Sequence, residues 1–164
     1  INHSNAKIIV VDVVNERLKE AELLGEVFTI NPKEVDLENE IIKFTNNYMI
    51  DFVIECSGTI GALNNSLKLI NNMGLVKFAS HPKFGDMLYI DPFELIKGKR
   101  IEGSWGGGIN PDLHLESISK KIIKQRNFLE IMNNKSYKLS EVNIAIDDMR
   151  KSKVLRPIIN FENY

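Results

Sequence analysis

The chain has 164 residues, a net charge of −1, and 43% hydrophobic and 26% charged residues. This length allows one domain with a sizeable core, or one domain and part of a second. Charges of both signs are dispersed, so no basic stripe indicates a nucleic-acid or membrane surface. The apolar runs are too short for a transmembrane helix, and the first residues do not resemble a signal peptide. The single cysteine, Cys56, excludes an internal disulfide and favours a reducing cytoplasm.

Short apolar runs alternate with helical patterns over the first two-thirds of the chain. Their spacing of about two dozen residues is that of repeated βαβ units, which predicts an α/β fold with a parallel sheet. The runs at residues 8–11 and 52–54 are apolar at every position, as expected for strands covered on both faces. The predicted strands are residues 7–11, 27–30, 51–55, 75–79 and 100–105, with a last strand at residues 157–161.

Apolar residues at helical spacing predict the helices between these strands, and glycines predict where several of them stop. The last helix is predicted to begin after an N-cap at Ser140 and to bury Val142, Ala145 and Met149. The earlier stripes are Leu18, Ala21 and Leu24 before Gly25; Ile60, Leu63, Leu67 and Ile70 before Gly74; a short helix from Pro92 to Gly98; and Leu115, Ile118 and Ile122.

The first predicted strand ends in an acid, Asp12, and a helical pattern opens a few residues later at Asn15. In a dinucleotide-binding unit, an acid in this place accepts hydrogen bonds from the adenosine ribose hydroxyls. It also repels the additional phosphate of NADP, which favours NAD. The alternative is a solvated acid that favours the start of the next helix. The glycine-rich turn of this fingerprint is expected about 20 residues earlier, upstream of Ile1.

Six stretches in one register resemble the medium-chain dehydrogenase/reductase family, the zinc-type alcohol and polyol dehydrogenases. The resemblance covers nearly the whole chain and implies a doubly wound parallel (Rossmann) sheet lacking its first strand and glycine-rich turn. It implies a partial NAD-binding domain over residues 1–105 and a C-terminal closing segment of the catalytic domain over residues 106–164. The stretches are residues 8–12, 24–25, 29–33, 51–58, 103–107 and 156–161.

The first strand of the doubly wound order lies at the centre of the sheet, so its absence would leave its two neighbours with unpaired backbone groups. In the family, the cysteine, histidine and glutamate ligands of zinc also lie upstream. No spacing in this chain resembles a zinc site, and we expect no catalytic residue in it. The sequence is therefore expected to be the C-terminal part of a longer NAD- and zinc-dependent alcohol or polyol dehydrogenase, inactive alone.

The resemblance also implies which residues bind the cofactor, mostly at the carboxyl ends of strands, where open parallel sheets bind ligands. Arg17 is expected beside the adenosine ribose, and residues 56–58 beside the adenine. The backbone of residues 79–81 and 104–106 is expected at the nicotinamide amide, and Arg156 at the pyrophosphate, which suits its charge and fork geometry. The full set is Asp12, Arg17, Cys56, Ser57, Gly58, Ala79, Ser80, His81, Ser104, Trp105, Gly106 and Arg156.

Simpler interpretations of these residues stay open. Arg17 and Arg156 are also ordinary solvent-exposed charges, and Cys56 also suits a small buried apolar position. His81 is tempting as a proton carrier, but the sequence names no partner for it, which favours an accident of position. Residues 104–106 also suit a hinge between domains.

Two other functions and one assembly follow from the same pattern. A non-catalytic dinucleotide-binding or assembly module is the first alternative. A methyltransferase also places an acid after its second strand, but it does not account for glycines at residues 103–108 followed by Arg156. The strand at residues 100–105 comes last in the doubly wound order, at the sheet edge, so we expect a homodimer through it. The alternative is an edge covered by the helix that contains Leu115. The expected small-molecule partner is an alcohol or polyol, without nucleic acid or membrane.

Overall fold

The computed structural model of the chain describes residues 5–132 and 135–161. Its strands are β1 (Ile9–Val11), β2 (Phe28–Ile30), β3 (Ile50–Glu55), β4 (Ile70–Phe78), β5 (Arg100–Gly103), β6 (Ser136–Lys138) and β7 (Ile158–Asn160). Its α-helices are α1 (Asn15–Glu22), α2 (Leu37–Thr45), α3 (Ile60–Leu69), α4 (Pro92–Ile96), α5 (Pro111–Ile123), α6 (Arg126–Met132) and α7 (Val142–Arg150). Short 3-10 turns span Gly106–Gly108 and Leu139–Glu141.

The chain divides into two compact units. The first unit comprises residues 1–35 and 111–164, and the second comprises residues 36–110. The boundary predicted between residues 105 and 106 concerns the domains of a longer protein, and it stays a prediction.

The second unit is built on a parallel three-stranded sheet in the order β3-β4-β5. Its core forms where α3 packs against β4: Leu63, Leu67, Ile70 and Val76 are buried, and Val76 is fully so. Leu63 and Leu67 lie four residues apart on one helical stripe, which is why the same face of α3 meets the sheet. Thr59 caps this helix, because its hydroxyl accepts the Ala62 backbone N–H at 3.3 Å.

The first unit contains two small parallel sheets. In one sheet β1 pairs with β2, with Val10 opposite Thr29, and α1 buries Leu18. In the other sheet β6 pairs with β7, and Tyr137 forms a small core with Ala145 and Val154. This small core, Tyr137 with Ala145 and Val154, joins β6 to α7 in the C-terminal part of the chain.

The strand pairings agree with the doubly wound order. That order pairs the third strand with the second on one side of the first strand, and runs through the fourth, fifth and sixth strands on the other. The two-stranded sheet β1–β2 corresponds to the second and third strands of that order, and the three-stranded sheet β3–β4–β5 to the fourth, fifth and sixth. Every pairing in these sheets is parallel. The predicted α/β class is therefore confirmed. The prediction that both faces of residues 52–54 are covered is wrong for the described residues, because Ile54 is 66% exposed and Phe52 is exposed as well.

The junction between α3 and β4 differs from the prediction. Gly74 was expected to end the helix, but the helix ends at Leu69 and Gly74 lies inside β4. The register opposite β3 moves from Ile70 to Leu75 across an irregular stretch. A Cβ atom on Gly74 would lie 2.9 Å from the Ile70 Cβ, so glycine is required by close packing within the strand rather than by a helix stop.

The start of α7 also differs from the prediction. Ser140 lies in the 3-10 turn, and the N-cap residue is Glu141, whose carboxylate instead accepts the Lys138 backbone N–H at 2.9 Å. The buried residues of α7 are Ala145 and Asp148, whereas Val142 and Met149 are exposed. The apolar stripe was therefore misjudged because a carboxylate occupies the inner face. Helices α2 and α6 and strand β6 were not predicted.

The inward-facing carboxylate of Asp148 is held by three donors. Asp148 is 6% exposed, and its Oδ2 accepts the Lys135 ammonium at 2.7 Å and the Tyr137 hydroxyl at 2.9 Å. The Lys153 ammonium lies 3.3 Å from Oδ1. The hydrogen bonds from Lys135 and then Tyr137 hold the pKa of Asp148 well below its ordinary value. The carboxylate thus joins β6 to α7 in its charged form.

This network predicts an acid-dependent stability. With a lowered folded-state pKa, the stabilisation by Asp148 is complete above the unfolded-state pKa of about 3.9 and disappears as the pH falls toward the folded-state pKa. Asp148→Asn in the full-length protein is expected to lower the thermal midpoint at neutral pH by several degrees. The gap to the unmodified protein should narrow below about pH 4. Asp147→Asn is the control, because Asp147 lies exposed on the same helix. Its ion pair with Arg150 is long, at 4.0 Å, and exposed to solvent, so it contributes little to stability. Equal midpoints for both variants would contradict the prediction.

Candidate functional site

The carboxyl ends of β3, β4 and β5 lie side by side because the three strands are parallel. The hydrogen-bond ladder continues past the strand ends: the Ala79 N–H donates to the Glu55 carbonyl at 2.9 Å, and the Ser104 N–H to the Phe78 carbonyl at 2.8 Å. The residues that follow the three strands are thereby brought together. We call residues 56–58, 79–81 and 104–106 the carboxyl edge of the second unit.

A buried carboxylate joins two loops of the carboxyl edge. Glu55, the last residue of β3, is 5% exposed. Its Oε1 accepts the Ser57 backbone N–H at 2.6 Å, and its Oε2 accepts the Ser80 hydroxyl. Local sequence does not identify Glu55 as a site residue, because its second partner lies 25 residues further along the chain, in the loop after β4.

The backbones of the same two loops approach each other at Gly58. This glycine has φ +74°, a left-handed conformation that side chains rarely adopt. A Cβ atom there would lie 3.5 Å from the His81 carbonyl oxygen. The Ser57 hydroxyl lies 3.1 Å from the Thr59 hydroxyl and accepts the Thr59 N–H, which extends the cap of α3. Residues 56–58 therefore form a fixed turn between β3 and α3.

Cys56 is exposed, yet its pKa is raised, mainly by partial burial of the thiol and also by the negative charge of Glu55. The thiol therefore stays protonated at neutral pH. A protonated thiol is a weak nucleophile, which argues against a reactive role for Cys56 at neutral pH.

Aromatic rings mark the far side of the carboxyl edge. His81 and Trp105 form an edge-to-face pair with ring centroids 5.3 Å apart. Trp105 is nevertheless 86% exposed, so a large apolar surface stands open beside the ends of β4 and β5. After Trp105, the 3-10 turn Gly106–Gly108 has positive φ at all three glycines, which leaves the backbone accessible without side chains.

In the first unit, Asp12 follows β1 and is half-buried. Its Oδ1 accepts the Val14 backbone N–H at 2.9 Å, and its Oδ2 lies 3.5 Å from the Arg17 guanidinium. Arg17 also donates to the Ser152 hydroxyl at 3.1 Å, a contact the sequence did not predict. A carboxylate offers about four acceptor positions, so Asp12 keeps capacity for two hydroxyl donors. The remaining predicted residue, Arg156, is exposed shortly before β7.

No group of three or more His, Cys, Asp or Glu side chains that could hold a metal ion occurs within residues 5–132 and 135–161. Within the same ranges, no helix combines the length and apolar character needed to cross a membrane.

A family model described as zinc-binding dehydrogenase matches residues 1–120 of this chain, well over half of it. The chain belongs to the zinc-binding dehydrogenase family. This membership agrees with the parallel pairings of β1 to β5 and with the predicted resemblance.

Sequence and structure comparisons agree on this family. Alcohol dehydrogenase 1 of Pisum sativum is 28% identical over 159 residues, which are 96% of this chain and 42% of that protein. Benzyl alcohol dehydrogenase of Acinetobacter calcoaceticus has a TM-score of 0.85 at 29% identity, over 94% of this chain and 42% of that chain. An alcohol dehydrogenase zinc-binding domain protein of Burkholderia ambifaria has a TM-score of 0.84 at 27% identity, with the same coverage. The chain thus spans less than half the length of these family members.

Proposed function

We propose that the full-length protein containing this chain is an NAD-dependent alcohol or polyol dehydrogenase of the cytoplasm, and that this chain supplies cofactor binding. Asp12 carries the proposal, because it stands at the carboxyl end of a parallel strand with acceptor atoms to spare, in a chain of the zinc-binding dehydrogenase family. The proposal keeps residues 1–105 as the NAD-binding part and residues 106–164 as the closing segment.

The residues of the first unit suit the adenosine half of the cofactor. The Asp12 carboxylate would accept the two ribose hydroxyls, and the Arg17 guanidinium beside it would line the same ribose. A second negative charge near Asp12 is unfavourable, so the 2′-phosphate of NADP would be disfavoured. The exposed Arg156 would bind a pyrophosphate oxygen by charge and by its planar fork of donors.

The carboxyl edge of the second unit suits the cofactor's two rings. The turn at residues 56–58 would contact the adenine with the Cys56 and Ser57 side chains and the bare backbone of Gly58. The backbone of residues 79–81 and 104–106 would hold the nicotinamide amide and orient the ring, which accepts a hydride from the alcohol carbon when the cofactor is bound. Glycines in the turn Gly106–Gly108 allow this close approach. Zinc is assigned to residues outside this chain, and the chain alone is expected to be inactive.

Self-association through β5 is part of the proposal. Among the described strands, β5 pairs with β4 alone, so its second edge is open. Ser104 donates its N–H to β4, and successive amides of a strand alternate between its two sides. The amide of Ile101, three residues earlier, therefore points to the open edge. Exposed Tyr89, Phe93 and Ile96 lie in the preceding segment and supply apolar area for a second copy.

The cofactor assignment of Asp12 predicts a specific loss. In the full-length protein, Asp12→Ala should weaken NAD binding by about 1.5–3 kcal/mol, the contribution of hydrogen bonds to a charged group. The preference for NAD over NADP should fall with it. Asp51→Ala is the control, because Asp51 lies at the opposite end of β3 and pairs with Asn71. Calorimetric titration with both cofactors measures the effect. If the unmodified protein binds NADP as tightly as NAD or more tightly, the assignment of Asp12 is wrong.

The pyrophosphate role of Arg156 is tested in the same titration. Arg156→Ala in the full-length protein should raise the NAD dissociation constant, because a charge-assisted hydrogen bond worth roughly 1.5–3 kcal/mol of binding free energy is lost. Unfolding should remain cooperative. Arg150→Ala is the matched control, since Arg150 is an exposed arginine of α7. If the two variants bind NAD equally well, Arg156 is only a surface residue.

The dimer is tested at the open edge. Ile101→Pro removes an edge donor, whereas Ile101→Ala removes the same packing and keeps the amide. Sedimentation at micromolar concentration should show weaker association for the proline variant than for the alanine variant, at similar monomer stability. A full-length protein that sediments as a monomer before any substitution would end this proposal.

A further inference from the structure

The buried carboxylate of Glu55 stands out among the charged groups of the second unit. Both of its hydrogen-bond donors, the Ser57 amide and the Ser80 hydroxyl, are neutral groups. Burying a carboxylate is costly unless hydrogen bonds replace its water shell. These two hydrogen bonds therefore compensate the lost hydration of the carboxylate. In turn, they hold the Ser57 amide and the Ser80 hydroxyl next to it.

Pairing of β3 with β4 does not need this side chain. The backbone ladder already joins residues 52–55 to residues 75–78, and it continues through the Ala79 N–H to the Glu55 carbonyl. The carboxylate acts beyond the ends of the strands, where the ladder stops. It fixes the turn at residues 56–58 on one side and the loop at residues 79–81 on the other.

The two loops would serve opposite ends of one ligand. Under the proposed function, residues 56–58 contact the adenine and residues 79–81 contact the nicotinamide amide. The backbones of the two loops are also close at Gly58, where a Cβ atom would lie 3.5 Å from the His81 carbonyl oxygen. A hydrogen-bonded tie at this point sets the spacing between the two ring-binding surfaces.

We propose that Glu55 is a positioning residue of the cofactor site: its carboxylate ties the turn after β3 to the loop after β4 and fixes their separation. The inference rests on the proposed function and extends it to a residue with no predicted contact to the cofactor. The tie acts through the Ser57 amide and the Ser80 hydroxyl.

Three substitutions in the full-length protein separate the tie from general stability. Glu55→Met keeps a similar volume and removes both acceptors. Glu55→Gln keeps both hydrogen bonds, because the amide oxygen accepts the Ser57 N–H and the amide N–H donates to the Ser80 oxygen. Ser80→Ala breaks the β4 side alone. Ser66→Ala is the control, because the Ser66 hydroxyl donates only within α3, to the Ala62 carbonyl at 2.9 Å.

The readouts are dissociation constants for NAD and for ADP-ribose, which lacks the nicotinamide, with the thermal midpoint measured alongside. Glu55→Met is expected to weaken both ligands about tenfold, since both loops lose their tie. Ser80→Ala is expected to weaken NAD several-fold and to leave ADP-ribose within twofold of the unmodified protein. Glu55→Gln should recover most of the affinity that Glu55→Met loses, and Ser66→Ala should bind both ligands normally.

The outcomes distinguish this inference from the function beneath it. If the unmodified protein binds neither ligand, the proposed function fails and this inference falls with it. If the unmodified protein binds NAD but Glu55→Met and Ser80→Ala bind it equally well, the positioning role alone is wrong. If Glu55→Met fails to fold, Ser80→Ala decides: equal losses for NAD and ADP-ribose overturn the proposal, and a loss confined to NAD supports it.

Discussion

The parallel ladder of β3, β4 and β5 is the constraint on which the second unit depends. Because all three strands run in one direction, the residues after each of them meet at one edge. The ladder extends into the loops through the amides of Ala79 and Ser104. Backbone pairing therefore brings together the residues after β3, β4 and β5, which are far apart in the sequence. Beyond the backbone ladder, the Glu55 side chain joins the loops after β3 and β4 through its hydrogen bonds with Ser57 and Ser80.

Much of this arrangement could be predicted because it depends on local sequence. Apolar runs located the strands. The ribose contact of Asp12, expected from its position after β1 and from the family resemblance, stays a prediction. The prediction was wrong where two local signals competed. Gly74 resembled a helix stop, but close packing on Ile70 places it in β4. Ser140 resembled a cap, but Glu141 takes that position, and the buried Asp148 changes which face of α7 is inside.

The parts that could not be predicted depend on partners distant in sequence. Glu55 meets Ser80 across two strands, and Arg17 meets Ser152 across most of the chain. A single buried acid has no periodic pattern around it, so nothing in the sequence distinguishes it from a solvated one. Such contacts follow from the topology, and the topology had to be known first. Local sequence patterns indicate which residues belong to the proposed site. The arrangement of those residues depends on contacts between parts of the chain that are distant in sequence.

Hydrogen–deuterium exchange of the full-length protein, with and without saturating NAD, measures whether the carboxyl edge and Asp12 contact the cofactor. If they do, NAD binding should slow exchange at the amides of residues 56–58, 79–81 and 104–106 and around Asp12. Residues 46–50, at the opposite end of β3, serve as the internal reference and should be unaffected. Unchanged exchange along the whole carboxyl edge, with NAD bound, would show that these residues do not bind the cofactor.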